Sequence, residues 1–119
     1  RYFAAVDARD LPGVLGTLAE DCTFTVETHG VRHDGHDRIA GMFRTLWADH
    51  RAVLHHRFTF VPDPASGRIA AQFTVENTEH DGRVTMKSNC NVFVTAGARF
   101  RAVAVYMAGQ NTLKAADGA

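Results

Sequence analysis

The chain has 119 residues, 45% of them hydrophobic and 22% charged, which are the proportions of one ordinary globular domain able to bury a core unaided. Thirteen basic residues balance thirteen acidic ones, so no electrostatic footprint for nucleic acid or an anionic membrane is present. No apolar run reaches the roughly 20 residues a membrane helix needs. Cys22 and Cys90 lack metal-type spacing, and reduced cytoplasmic thiols are the default reading. Arg1 already stands in a helical pattern, so a single domain over residues 1–119 with a truncated N-terminus is expected.

Residues 1–9 carry Tyr2, Phe3 and Val6 at the spacing of a short amphipathic helix. Asp10 before Leu11-Pro12 reads as an N-cap with proline in the first turn, starting a helix that runs to about Glu20. Residues 22–28, rich in Thr, Phe and Val, read as a strand, and residues 29–35 as a loop. A third helix follows. Asp37 in its first turn complements the dipole, and Ile39, Met42, Phe43, Leu46 and Trp47 form one apolar stripe, the main cover of the core.

After His50 the period becomes two. Leu54, His56, Phe58 and Phe60 fall on one face of a strand that ends at the turn over residues 62–67. Residues 69–79 form the next strand, with Ile69, Ala71, Phe73 and Val75 on one side, and His80-Asp81-Gly82 is a hairpin signal. In the long strand 84–95, Thr85, Lys87, Asn89, Asn91 and Phe93 share one face, and Met86, Ser88, Cys90, Val92 and Val94 the other. Residues 99–107 close the sheet, and residues 111–119 read as a frayed polar tail. Helices first and an antiparallel meander last make this an α+β fold.

The segments Arg1-Tyr-Phe-Ala-Ala-Val-Asp-Ala-Arg-Asp10, Leu18-Ala-Glu-Asp21 and Gly35-His-Asp-Arg-Ile39, then His55-His56, the Asp81-Gly82 turn and the closing strand 101–106, resemble the SnoaL-like branch of the nuclear transport factor 2-like superfamily. The resemblance covers essentially the whole chain. It implies a cone: a strongly curved antiparallel sheet around three N-terminal helices, with a pocket inside. The fold hosts isomerases, cyclases, dehydratases, epoxide hydrolases and non-enzymes, so it does not by itself fix an activity.

The resemblance to scytalone dehydratase and bile-acid 7α-dehydratase relatives implies that Asp7 pairs with His56. There a carboxylate would orient an imidazole that moves protons. Parity also turns His56 inward, with Leu54, Phe58 and Phe60. Asn91 matches an active-site Asn of the dehydratases and replaces the protonated Asp of the ketosteroid isomerases. With Asn89 it would polarise a substrate oxygen. Tyr2 matches the isomerases' oxyanion-hole Tyr. The isomerases' catalytic Asp, however, falls on Val26, which cannot take a proton. The expected site is therefore catalytic Asp7 and His56, with Tyr2, Asn89, Asn91, Val26, Trp47 and Phe58 around the substrate.

His29, His33 and His36, with Asp34 and Asp37, lack a framing cysteine or glutamate and read as a solvated loop rather than a metal site. No metal and no cofactor are expected. The apolar side of the long strand, opposite the asparagines, reads as the outer face of the cone and a homodimer interface. Two functions remain open: a cofactor-free dehydratase or isomerase acting on a small, mostly apolar molecule, and a ligand-binding module without chemistry.

Overall fold

The computed structural model describes residues 1–116. Its elements are α1 (Tyr2–Asp7), α2 (Leu11–Gly16), β1 (Leu18–Val26), β2 (Val31–Asp34), α3 (Gly35–Asp49), β3 (Ala52–Asp63), β4 (Arg68–Thr78), β5 (Val84–Ala96) and β6 (Arg99–Tyr106), with a 3-10 turn at Glu27–His29. The strands form one curved, unclosed sheet in the order β2-β1-β6-β5-β4-β3. Neighbours run antiparallel except β1 and β6, which are parallel and make the sheet mixed. The cause is α3, which carries the chain from β2 to the far edge, so that the returning meander meets β1 in its own direction.

The helices start and stop for local reasons. Asp10 caps α2 by accepting a hydrogen bond from the Gly13 N–H at 3.0 Å, with Pro12 in the first turn. Ile39, Met42, Phe43, Leu46 and Trp47 are all buried, as their spacing predicts, and α3 packs them against β1 and β2. Truncating a fully buried ring such as Phe43 to alanine costs about 3–5 kcal/mol. The end of α3 is held by Arg9, whose guanidinium donates to the Trp47, His50 and Arg51 carbonyls at 2.9, 2.6 and 2.6 Å. These are orphan acceptors of the kind a helix terminus leaves.

Three expectations are corrected. Residues 31–34 form an edge strand paired with β1, not a loop, and His33 on it is buried. The simple alternation of Leu54, His56, Phe58 and Phe60 fails because β3 carries a bulge. His56 pairs with Thr74, but Thr59 pairs with Gln72, so three steps on β3 oppose two on β4. Arg57, at φ 58°, absorbs the extra residue in the left-handed region. Val53 and His55 therefore face the concave side, and beyond the bulge Phe58 does so as well, while His56 faces out. Finally, residues 111–116 are not frayed: Leu113 packs on the core and its carbonyl accepts a bond from His33 Nε2 at 3.1 Å. The remainder of the expected tail, residues 117–119, lies outside the described residues.

Candidate functional site

The fold brings α1 against β3, and this sets Asp7, the last residue of α1, beside His55. Asp7 Oδ1 accepts from His55 Nδ1 at 2.5 Å, and Oδ2 accepts from the His55 backbone N–H at 2.9 Å. A carboxylate accepts but cannot donate, so Nδ1 carries a proton and Nε2 of the neutral ring is left as a free base. The pair is shielded, the two side chains being 12% and 18% exposed.

His55 lines a cavity of about 40 Å³ whose other walls include Tyr2, Phe73, Asn77, Asn89, Asn91 and Leu113. The sheet register explains the company. His55 stands opposite Val75, Phe73 opposite Asn89, and Ala71 opposite Asn91, while Val53 faces Asn77. All of these are on the concave face. Asn77 and Asn91 are each 3% exposed, and neither Oδ1 finds a partner in the protein. Leaving a buried acceptor unmet costs about 1–3 kcal/mol, so both oxygens are open to accept from a donor that enters the cavity. Asn89 differs: its Oδ1 accepts from the Ala108 N–H at 3.0 Å, which fixes its amide NH₂ as the remaining donor.

Tyr2 closes the cavity from α1 with its ring edge-on to Phe43 and Phe93. Burial, helped by the nearby Cys22 and Asp7, pushes its phenol well above the ordinary range, so it stays a proton donor across the physiological range. Burial likewise pushes the Cys22 thiol up to about 11, reinforced by Asp21 and Asp34.

Of the residues the sequence nominates, Tyr2, Asn89 and Asn91 line the cavity, with Asp7 behind His55. The others do not join them. His56 lies on the outer face with Nε2 2.9 Å from Glu76 Oε2, so the expected Asp7–His56 pair is replaced by Asp7–His55. The bulge at Arg57 is the reason. Val26 is fully buried in β1, away from the cavity walls. Trp47 stacks on Phe43 and donates its indole N–H to the Val6 carbonyl at 3.0 Å, which is a packing role. Phe58 is not a cavity wall: it packs in an aromatic cluster with Phe3, Phe60 and the wall residue Phe73. Sequence reasoning missed His55 and Asn77. Asn77 was within reach, since it continues the inward series Ala71, Phe73, Val75.

The three histidines of the 29–36 segment are spent on backbone carbonyls: His29 on Gly109, His33 on Leu113 and His36 on Leu18. Among the described residues, no group of three or more His, Cys, Asp or Glu is placed to hold a metal ion. No helix among them is long and apolar enough to cross a membrane.

The family model for the SnoaL-like domain matches residues 1–108. Among solved structures, the chain is similar to a candidate polyketide cyclase from Xanthomonas campestris pv. campestris, with a TM-score of 0.81, 18% identity, and 88% of this chain and 83% of that one covered. It is similar to an NTF2-like protein of unknown function from Burkholderia pseudomallei K96243, at 0.78 and 23% identity, covering 90% and 85%. It is also similar to TerC, co-crystallised with polyporic acid, at 0.80 and 14% identity, again over 90% and 85%. These likenesses establish the cone-like NTF2 fold. Among curated proteins, none matches the chain.

Proposed function

The chain belongs to the SnoaL-like domain family, whose fold makes it a small-molecule pocket protein, and within that frame we propose that it catalyses cofactor-free acid–base chemistry. The observation that carries this reading is the Asp7–His55 pair on the wall of an amide-lined cavity. His55 Nε2 removes a proton from a carbon next to a substrate carbonyl, and Asp7 stabilises the imidazolium that results. The carbonyl oxygen gains charge in that step. The Tyr2 hydroxyl and the Asn89 and Asn91 amide N–H groups, which line the same cavity, are donors that would receive it. Returning the proton to a different carbon is an isomerisation, and expelling a β-hydroxyl as water is a dehydration. The candidate cyclase, and TerC co-crystallised with polyporic acid, point toward polyketide-like substrates by analogy.

The test is exchange of α-protons for solvent deuterium in a small ketone such as tetralone, followed by NMR. His55→Ala is expected to lose exchange by about 10²–10⁴-fold while His56→Ala keeps it. Equal rates in wild type and His55→Ala contradict the reading.

A second reading is favoured by Val26, which the resemblance places where the isomerases carry their catalytic Asp and which cannot take a proton. In it the chain is a binding or accessory module that kept the pocket and performs no chemistry. The outer sheet face supports a homodimer. Leu54, Met86 and Tyr106 are 48%, 60% and 45% exposed there, Tyr106 standing opposite Cys90. Both cysteines are free thiols, which fits a cytoplasmic setting.

A further inference from the structure

The cavity around His55 adjoins a groove of about 330 Å³ that shares two of its walls, Asn77 and Thr112. Lys87, Glu79 and His50 give this groove its charge. Thr112 lies on the strap of residues 107–116 that follows β6, and Leu113 beside it lines the cavity. The strap is held down by side chains. Asn89 Oδ1 accepts from the Ala108 N–H, His29 Nε2 donates to the Gly109 carbonyl, Lys87 Nζ donates to the Gln110 carbonyl at 2.5 Å, and His33 Nε2 donates to the Leu113 carbonyl. At its end, Ala116 lies so close to α3 that a Cβ on Gly41 would stand 3.0 Å from the Ala116 Cβ.

We propose that residues 107–116 are a movable cover, and that cavity and groove are two halves of one ligand site, taking an apolar molecule with an acidic oxygen at one end. Lifting Thr112 and Leu113 removes the wall between a space too small for an organic molecule and one large enough for part of it. The same movement takes the Gln110 carbonyl away from Lys87. The lysine is half-buried, and burial lowers its affinity for its proton more than the charge of Glu79 restores it, so a new acceptor at Nζ favours the charged form. A carboxylate or phenolate oxygen supplies one. Glu79, the acidic group in the groove, is turned toward His50, with Oε2 3.5 Å from Nε2. The apolar end then lies among Val53, Phe73 and Val105 beside His55. The choice of ligand rests on the pocket reading above but not on catalysis.

The test pins the strap reversibly. Gly41→Cys with Ala116→Cys, in a Cys90→Ser background, sets two Cβ positions 3.0 Å apart, so the strap's end shifts outward by roughly 0.5–1 Å to reach the 3.5–4.5 Å of a disulfide with α3. The probes are anilinonaphthalene sulfonate, apolar with an anionic head, and its neutral relative phenylnaphthylamine, both followed by fluorescence. Oxidation is expected to weaken binding of both by at least about tenfold, and reduction of the same sample to restore it. Equal binding in the two states overturns the cover. Lys87→Met is expected to lose the sulfonate by about tenfold and keep the neutral probe, and equal losses for the two overturn the assignment of the head group. Should the double variant not fold, hydrogen exchange on the wild type decides. Amides 109–113 exchanging as slowly as amides 89–93 of β5 contradict a cover that opens by itself. No step of these measurements depends on turnover, so a failed exchange assay for His55 leaves them valid.

Discussion

Asp7 holds His55 twice, by the ring at Nδ1 and by the backbone N–H, so one carboxylate fixes both the strand and the imidazole mounted on it. The double attachment separates orientation from charge. Asp7→Asn can keep one hydrogen bond to the backbone, but its amide no longer enforces the Nδ1–H form and no longer offsets a positive ring. Exchange activity is expected to fall by about 10²-fold or more in Asp7→Asn, with thermal stability changed far less. A parallel collapse of both would mean that Asp7 only ties α1 to β3.

The bulge at Arg57 is what aims His55 inward. Arg57→Gly is expected to be neutral or to stabilise by up to about 1 kcal/mol, because glycine adopts the φ of 58° without a Cβ clash. Deleting Arg57 removes the extra residue, restores plain alternation and swings either the His55 side or the Phe58 side of β3 across the sheet. Loss of cooperative unfolding or of probe binding in the deletion, measured beside Arg57→Gly, checks this. A deletion variant that behaves as wild type contradicts it.

That bulge is also where the sequence stopped being legible. The α3 stripe, the α2 cap and the closing meander of β3 to β6 could be read because period, turn and capping residues are local signals, and Asp7 and Asn91 were nominated by resemblance. Whether position 55 or 56 faces inward depends on one non-glycine residue adopting a left-handed conformation, and nothing in His-His-Arg-Phe announces that. The β2 edge was hidden because four residues, three of them polar, between two glycines look like a loop until β1 pairs with them. The docking of residues 111–116 depends on contacts with His33 and α3 that lie far away in the sequence.

Arg9 offers a stability test remote from the cavity. Arg9→Ala strips donors from three carbonyls at the end of α3 and is expected to cost about 1–3 kcal/mol in a urea melt, the solvent-exposed part of the contact being worth least. An unchanged midpoint would mean that water replaces the guanidinium without loss.

Alkaline pH probes Tyr2 and Cys22. Both are held protonated in the folded chain beyond the pH at which they ionise when unfolded, so their contribution is complete below the unfolded values and is lost as pH rises. The loss begins near pH 9.0 with Cys22, whose folded value is about 11, and continues above 10.0 with Tyr2. The urea midpoint of the wild type is expected to fall more steeply between these pH values than that of Cys22→Ala with Tyr2→Phe. Identical slopes contradict the burial argument.

The most direct measurement is the tautomer of the two adjacent histidines, read from long-range nitrogen–proton NMR correlations of their rings. His55 is expected to carry its proton on Nδ1, with Nε2 bare, and to lose that preference in Asp7→Asn, while the His56 signals stay unchanged. If instead His56 responds to Asp7→Asn and His55 does not, the pairing at the centre of the site is wrong, and the proton chemistry assigned to His55 falls with it.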